Sequence, residues 1–270
     1  MALGASGPGW FEDRFAGPDL DPSTWFPHYL PAWSSRESSR ASHRVENGEL
    51  VLDIPVDHPV WCEGDHDPPL RVSGLQSGSW SGPVGSQRGQ QRFREGQVVR
   101  EEQERFEGWL PSAGRGRARV EVSARMDLSP RSMAALWLSG LEDDDAQERC
   151  GELCVFEVFG KDLGPADDRS ADRWAHVGVG TKAFRDPALT QDFDAPRVHI
   201  DVVEPHLYAV QWDADEAVFS VDGVVLRRCP RPPTYPLQLM LAVFDFPQWS
   251  VGGDDHLVPT LVVDRIAGSR

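Results

Sequence analysis

Apolar residues recur along the chain in short runs, most of them alternating with polar positions or rich in Val and Ile, with Gly, Pro or Asp between the runs. GELVLDI (48–54), GRARVEVSARMDL (116–128), MAALWLSG (133–140), LCVFEVFG (153–160), HVGVGTKAF (176–184), RVHIDVV (197–203), HLYAVQWD (206–213), AVFSVDGVVLRRC (217–229), LQLMLAVFDF (237–246) and LVPTLVVDRI (257–266) each read as strands. In AVFSVDGVVL, Asp222-Gly223 separates two apolar runs, which predicts a hairpin closed by a type I′ turn. No long stretch carries the period of an amphipathic helix; Glu101 to Phe106 is at most a short polar segment. Many short strands with regular turn signals predict an all-β protein, an antiparallel sandwich or barrel. The segment from Val72 to Gly96, rich in Gly, Ser, Gln and Arg, is expected to form long loops beside a sheet face. The Pro-rich patches at Asp67-Pro68-Pro69 and Pro230 to Pro233 read as turns, so residues 1–270 are expected to form one domain.

One strand departs from the pattern. GELCVFEVFG (151–160) is apolar like its neighbours yet carries Glu152 and Glu157. Side chains alternate faces along a strand, so Glu152 and Cys154 share a face while Glu157, an odd number of positions from Glu152, points the other way. One extra residue, a bulge near Val155 or Phe156, returns Glu157 to the first face. Two carboxylates on one face suit glycoside hydrolysis, whose retaining form needs them ~5–5.5 Å apart, one as nucleophile and one as acid/base. The plainer alternative for two glutamates in a strand is an exposed or salt-bridged face.

Composition narrows the partners. The 270 residues carry a formal net charge of −16, which opposes binding to phosphate backbones or anionic lipid and leaves soluble, neutral ligands. No apolar run approaches the ~20 residues of a membrane span. The N-terminal MALGASGPGWFEDRF has no basic segment followed by a long apolar one, so a cytoplasmic location is expected, or secretion with a signal that this sequence does not include. Four cysteines (Cys62, Cys150, Cys154, Cys229) are too few for a disulfide scaffold and are expected to be reduced, partly buried thiols. Ten Trp stand against three Tyr. Indole faces stack well on sugar rings, although core packing accounts for most Trp residues.

Glu152-Leu-Cys154-Val-Phe-Glu157 resembles the catalytic strand of glycoside hydrolase family 16, the laminarinase and lichenase type, which reads Glu-x-Asp-x-x-Glu or Glu-x-Asp-x-Glu. The resemblance covers nearly the whole chain. WFEDRFAGPDLDPSTW (10–25) is similar to the family's opening, GRARVEVSARM to its Arg-x-Lys strand, and ALWLSG, with Trp137, to its Ala-Phe-Trp-Leu strand. HLYAVQWDADEAVFSVDG (206–223), YPLQLMLAVFDFP and LVVDRI resemble its later strands in order. The family fold is a concanavalin A-like β-jelly roll with a concave substrate cleft. By matching positions the resemblance implies Glu152 as nucleophile, Glu157 as acid/base and Trp137 as a substrate-lining aromatic. It also implies a polar residue from HVGVGTK near the pair; His176 and Lys182 share a face by parity, and either fits. The family's central Asp is Cys154 here, a weak donor that supports Glu152 less and is expected to stay neutral beside two carboxylates. The implied activity is a retaining endo-glycosidase on a β-linked polysaccharide or oligosaccharide, β-glucan first, acting as a monomer without an organic cofactor. A non-catalytic carbohydrate-binding protein of the same fold and a transglycosylase are the alternatives.

Other constellations carry less. His58, Cys62 and His66 in HPVWCEGDH have zinc-like spacing without a fourth ligand, and a loop under the cleft is the better reading. Trp61 and Trp80 are candidates for stacking on sugars from such loops. Asp13 and Asp264 lie where family members often bind a structural calcium. The EDDD run (Glu142 to Asp145) reads as a solvated loop, and no Gly-x-Ser-x-Gly turn supports a serine nucleophile.

Overall fold

A computed structural model describes residues 9–164, 173–253 and 257–269. Two antiparallel sheets face each other. The eight-stranded sheet runs Val224–Pro230, Glu216–Val221, His206–Trp212, Ala118–Asp127, Thr260–Ser269, Glu49–Asp53, Ser42–Glu46, with Trp10–Asp13 also paired to Thr260–Ser269. The six-stranded sheet runs Asp192–Asp194, Gly178–Lys182, Glu152–Phe159, Ser132–Gly140, Leu237–Asp245, Arg71–Gln76. Two short strand pairs sit outside these sheets. Among the described residues the only helical elements are three single turns of 3-10 helix. None is long and apolar enough to cross a membrane.

The eight-stranded sheet follows its binary pattern. In Ala118–Asp127, Ala118, Val120, Val122, Ala124 and Met126 enter the core between the sheets. The alternate positions Arg119, Glu121 and Arg125 face outward and are laced into ion pairs, Glu121 with Arg265 at 2.6 Å and Arg125 with Glu49 at 2.5 Å. The Asp222-Gly223 hairpin forms as expected: both residues have positive φ, 50° and 79°, as a type I′ turn requires.

The central strands of the six-stranded sheet are covered on both faces over most of their length. In Leu237–Asp245 every residue is buried. Leu237, Leu239, Leu241 and Val243 point between the sheets, while Met240, Ala242 and Phe244 enter a second apolar cluster with Leu30, Trp33, Trp61 and Leu70. That second cluster lies under loops laid across the outward face. A strand with two covered faces has no polar side, which is why LQLMLAVFDF reads as an unbroken apolar run. The part of this face left uncovered is a cleft.

Three expectations need correction. RVHIDVV contributes only a two-residue strand, Arg197–Val198, because the chain turns at Asp201 to Glu204. The Val72 to Gly96 segment begins as the edge strand Arg71–Gln76, whose Ser73 and Gln76 are buried and satisfied: Ser73 Oγ donates to the Ser42 carbonyl at 2.8 Å, and Gln76 Oε1 accepts from Leu30 N at 2.5 Å. The strands Trp10–Asp13, Ser42–Glu46 and Asp192–Asp194 are short edge pieces beyond the predicted set. All four cysteines are free and buried, as expected.

Candidate active site

The bulge is at Val155. Leu136 opposes Phe156 and Trp137 opposes Cys154, so Val155 has no partner on the Ser132–Gly140 strand. The strand on the other side skips at the same point: Gly178 opposes Glu157 and Gly180 opposes Cys154. Gly180 has φ +139°, and a Cβ there would lie 2.2 Å from the Asp192 carbonyl oxygen, so only glycine holds this register. With one residue taken up by the bulge, Val155 and Phe156 both point into the inter-sheet core beside Leu153 and Val158. Glu152, Cys154 and Glu157 emerge together on the cleft face.

The cleft has a volume of about 280 Å³. Its polar groups come from Tyr29, His66, Glu152, Glu157 and Lys182; Trp137, Met133, Phe244 and Phe246 form much of its apolar lining. Cys154 sits between the acids, its Sγ 3.5 Å from Glu157 Oε1 and 4.0 Å from Glu152 Oε2. Lys182 Nζ donates to Glu157 Oε1 and lies 4.6 Å from the Phe193 ring centroid.

The two acids differ in surroundings. Glu152 is 3% exposed. Burial pushes its carboxyl up to about 8; Lys182 opposes the rise, and the charges of Glu157 and Glu142 add to it. Glu157 is less buried and is ion-paired to Lys182. Burial and the neighbouring Glu157 push the Cys154 thiol well above its usual range, so it is a neutral group at pH 7. Burial disfavours the Lys182 ammonium, yet the acidic groups around it, Cys154, Glu157 and Glu152, hold its pKa above the ordinary value.

Of the expected site residues, Glu152, Cys154, Glu157, Trp137 and Lys182 come together. His176 does not. It belongs to a separate two-residue strand, its Nδ1 lies 2.8 Å from the Ala195 carbonyl, and its ring packs edge-on against Trp174. Parity fails because the chain leaves the Gly178–Lys182 strand before reaching it. Trp61 is 2% exposed and belongs to the second apolar cluster, packed 5.0 Å from Tyr29. It supports the floor and presents no face to a sugar. Trp80 is half-buried and lies outside the cleft lining.

The metal readings find no cage among the described residues. His58 Nε2 is 2.8 Å from the Val72 carbonyl, and Cys62 Sγ donates to the Trp33 carbonyl at 3.0 Å. His66 Nδ1 is 2.7 Å from the Pro68 carbonyl, and the ring lines the cleft, so this loop does underlie the site. Both oxygens of Asp13 already accept hydrogen bonds, from Phe15 N and Trp25 Nε1, each at 2.8 Å. Of these two aspartates, only Asp264 offers a buried oxygen without a partner. Calcium takes roughly six to eight oxygens, so these residues do not fit it and no calcium enters the mechanism.

Sequence reasoning missed Tyr29, Gln91, Phe244 and Phe246, and singled out His66 only as a zinc candidate in a loop under the cleft. The two phenylalanines were readable, since positions 240, 242, 244 and 246 share one face of a strand whose other face is core. Tyr29, His66 and Gln91 arrive from loops, where no periodicity marks them.

No family model matches the chain, and no curated protein matches it. Solved structures do. The GlcNAcα1-4Gal-releasing endo-β-galactosidase from Clostridium perfringens aligns with 99% of this chain at TM-score 0.76 and 23% identity; the chain spans 64% of that protein's length. A laminarinase from Flavobacterium sp. UMI-01 aligns with 96% of this chain and 99% of its own, at TM-score 0.61 and 18% identity. SCLam, a non-specific endo-β-1,3(4)-glucanase from family GH16, aligns with 98% of this chain and 93% of its own, at TM-score 0.59 and 17% identity. The chain therefore has the antiparallel β-sandwich, jelly-roll fold of these endo-glycosidases.

Proposed function

We propose that the protein is a retaining endo-glycosidase acting on a β-linked glycan. The observation that carries this reading is the Val155 bulge, which brings Glu152 and Glu157 to one face, both within reach of Cys154, in a cleft floored by aromatic rings. Apolar ring faces suit the CH faces of sugars, and an acidic protein suits a neutral chain. The similar structures act on galactosyl and glucosyl linkages, so β-galactans and β-glucans are the first substrates to test.

By position, Glu157 protonates the glycosidic oxygen while Glu152 attacks the anomeric carbon and forms a glycosyl-enzyme. Glu157 then takes a proton from water, which releases the sugar with its configuration retained. Attack requires Glu152 to be ionised. Its burial favours the proton, whereas Lys182 stands against Glu157. This favours a second reading in which the two acids exchange roles, since a buried carboxyl that keeps its proton can serve as the acid.

The first experiment is reducing-sugar release from β-1,3-, β-1,4- and mixed-linkage glucans, galactans and agarose, beside Glu152→Gln. Release by the wild type that disappears in the variant supports the glycosidase. Binding of a glycan without release supports a carbohydrate-binding protein instead. On an active glycan, azide added to Glu152→Gly and Glu157→Gly separates the two assignments. The nucleophile variant yields a glycosyl azide of inverted configuration, and the acid/base variant yields a retained one.

A further inference from the structure

We propose that Gln91 is the positioning residue of Glu152, holding its carboxylate from the loop side of the cleft. This rests on the glycosidase reading with Glu152 as nucleophile, and it adds a residue that the strand motif does not contain.

Gln91 is buried, and its φ is +47°, a left-handed conformation that a non-glycine residue keeps only when its surroundings fix it. The surroundings here do fix it. Its backbone N–H donates to Glu142 Oε1 at 2.5 Å. Glu142 is 1% exposed; Arg185 donates to its other oxygen, and its backbone N–H donates to Gln90 Oε1 at 3.1 Å. Gln238 Nε2 ties Gln90 to the sheet at 2.7 Å. A buried polar frame anchored to the Leu237–Asp245 strand thus holds one residue in a strained backbone and aims its side chain at Glu152.

The direction of the amide follows from its partners. Indole Nε1 can only donate, and Trp137 Nε1 lies 3.4 Å from Gln91 Oε1. The amide nitrogen is thereby turned to Glu152 Oε1, to which Nε2 donates. An N–H aimed at a carboxyl oxygen fixes its rotamer and favours its ionised form. No other group facing Glu152 does both jobs. Glu157 on its own strand and Glu142 from the loop oppose ionisation; Lys182 favours it through its charge but is hydrogen-bonded to Glu157, so it does not hold the Glu152 carboxylate. The neutral Cys154 thiol is 4.0 Å away, and the Tyr29 phenol feels Glu152 only through its charge. Gln91 is the neutral donor in direct contact.

The test uses Gln91→Met and Gln91→Glu, which keep the side-chain length and, at φ +47°, the same backbone constraint as glutamine. Glutamate side-chain carboxyls are labelled with ¹³C, and the Glu152 resonance is identified by its loss in Glu152→Gln. Its titration midpoint is expected to rise by about one unit or more in both variants, a tenfold loss of ionisation at a given pH. On the glycan that the wild type hydrolyses, kcat is expected to fall by roughly tenfold or more, because hydrogen bonds to charged groups carry that much. KM should stay within about twofold, and the acidic limb of the kcat profile should move to higher pH. An unchanged Glu152 midpoint in a folded variant overturns the proposal. The titration needs no substrate, so a wild type that hydrolyses nothing counts against the glycosidase reading and leaves Gln91 to be decided by the midpoint.

Discussion

On one side of the Glu152–Phe159 strand, Leu153, Val155, Phe156 and Val158 are wholly buried against the eight-stranded sheet. On the other side, Glu152, Cys154 and Glu157 sit among Lys182, Gln91 and the rings of the cleft. The inner face is held by shape and volume, and its members are interchangeable in chemistry though not in size. The outer face is held by charge and hydrogen bonds, and its charged members bear on the protons of Glu152, Cys154 and Lys182. The bulge at Val155 is what lets one strand serve both purposes. Substitutions on the two faces should therefore fail in different ways: inner ones lose stability and keep activity per folded molecule, outer ones do the reverse.

The sharpest break comes from Phe156→Ala. Phe156 packs 4.7 Å from the Tyr208 ring across the two sheets. Its truncation should cost about 3–5 kcal/mol in urea unfolding while leaving kcat of the folded fraction within about twofold. A large fall in kcat with little loss of stability would show that the inner face also tunes the acids.

Deleting Val155 sharpens the comparison further. Removal leaves Glu152-Leu-Cys-Phe-Glu157, which alternates regularly, with both glutamates still outward and Leu153 and Phe156 inward. The chain should fold, less stable by about 1.5–3 kcal/mol for the lost valine, and Glu157 should still face the cleft. Reducing-sugar release and urea unfolding together check this. Failure to fold would mean that the core requires the bulge.

The same contrast explains how far the sequence could be read. The inner faces obey period two, so Ala118–Asp127, Ser132–Gly140, His206–Trp212 and the Asp222-Gly223 hairpin were legible almost to the residue. The bulge was legible as one of two readings, since one extra residue near Val155 or Phe156 brings two glutamates of opposite parity to one face, and the pairing places it at Val155. What failed did so where pairing ends. His176 was placed by counting along a strand that stops at Gly178. Trp61 looked like a sugar platform because sequence does not show that a loop is itself buried. Gln91 stayed invisible: its role comes from a left-handed backbone and from contacts with Glu142, Trp137 and Glu152, each about 46 to 61 residues away in the chain.

The smallest effect isolates the outer face by pH. Glutamate at its ordinary 4.5 would lose its proton in the unfolded chain, while burial holds the Glu152 proton in the folded protein up to about 8, with Lys182 opposing. The folded state then binds more protons than the unfolded one. Stability from this group is full below 4.5 and is lost as pH climbs through 8, by at most about 1.4 kcal/mol per pH unit. Glu142, raised by burial to about 7 against the pull of Arg185, contributes a loss of the same sign that is nearly complete by pH 7. His28, which burial lowers to about 4, contributes the opposite slope, confined below its ordinary 6.5. Between pH 7 and 8, Glu152 is therefore the main source of a falling stability. Urea unfolding at pH 7 and 8 should show the wild type weakening and Glu152→Gln nearly flat, because an amide has no proton to release there. Parallel behaviour of the two proteins would mean that Glu152 is already ionised in the folded state. Donation from Gln91 would then outweigh burial, and the outer face would be ready for attack by Glu152 before any sugar arrives.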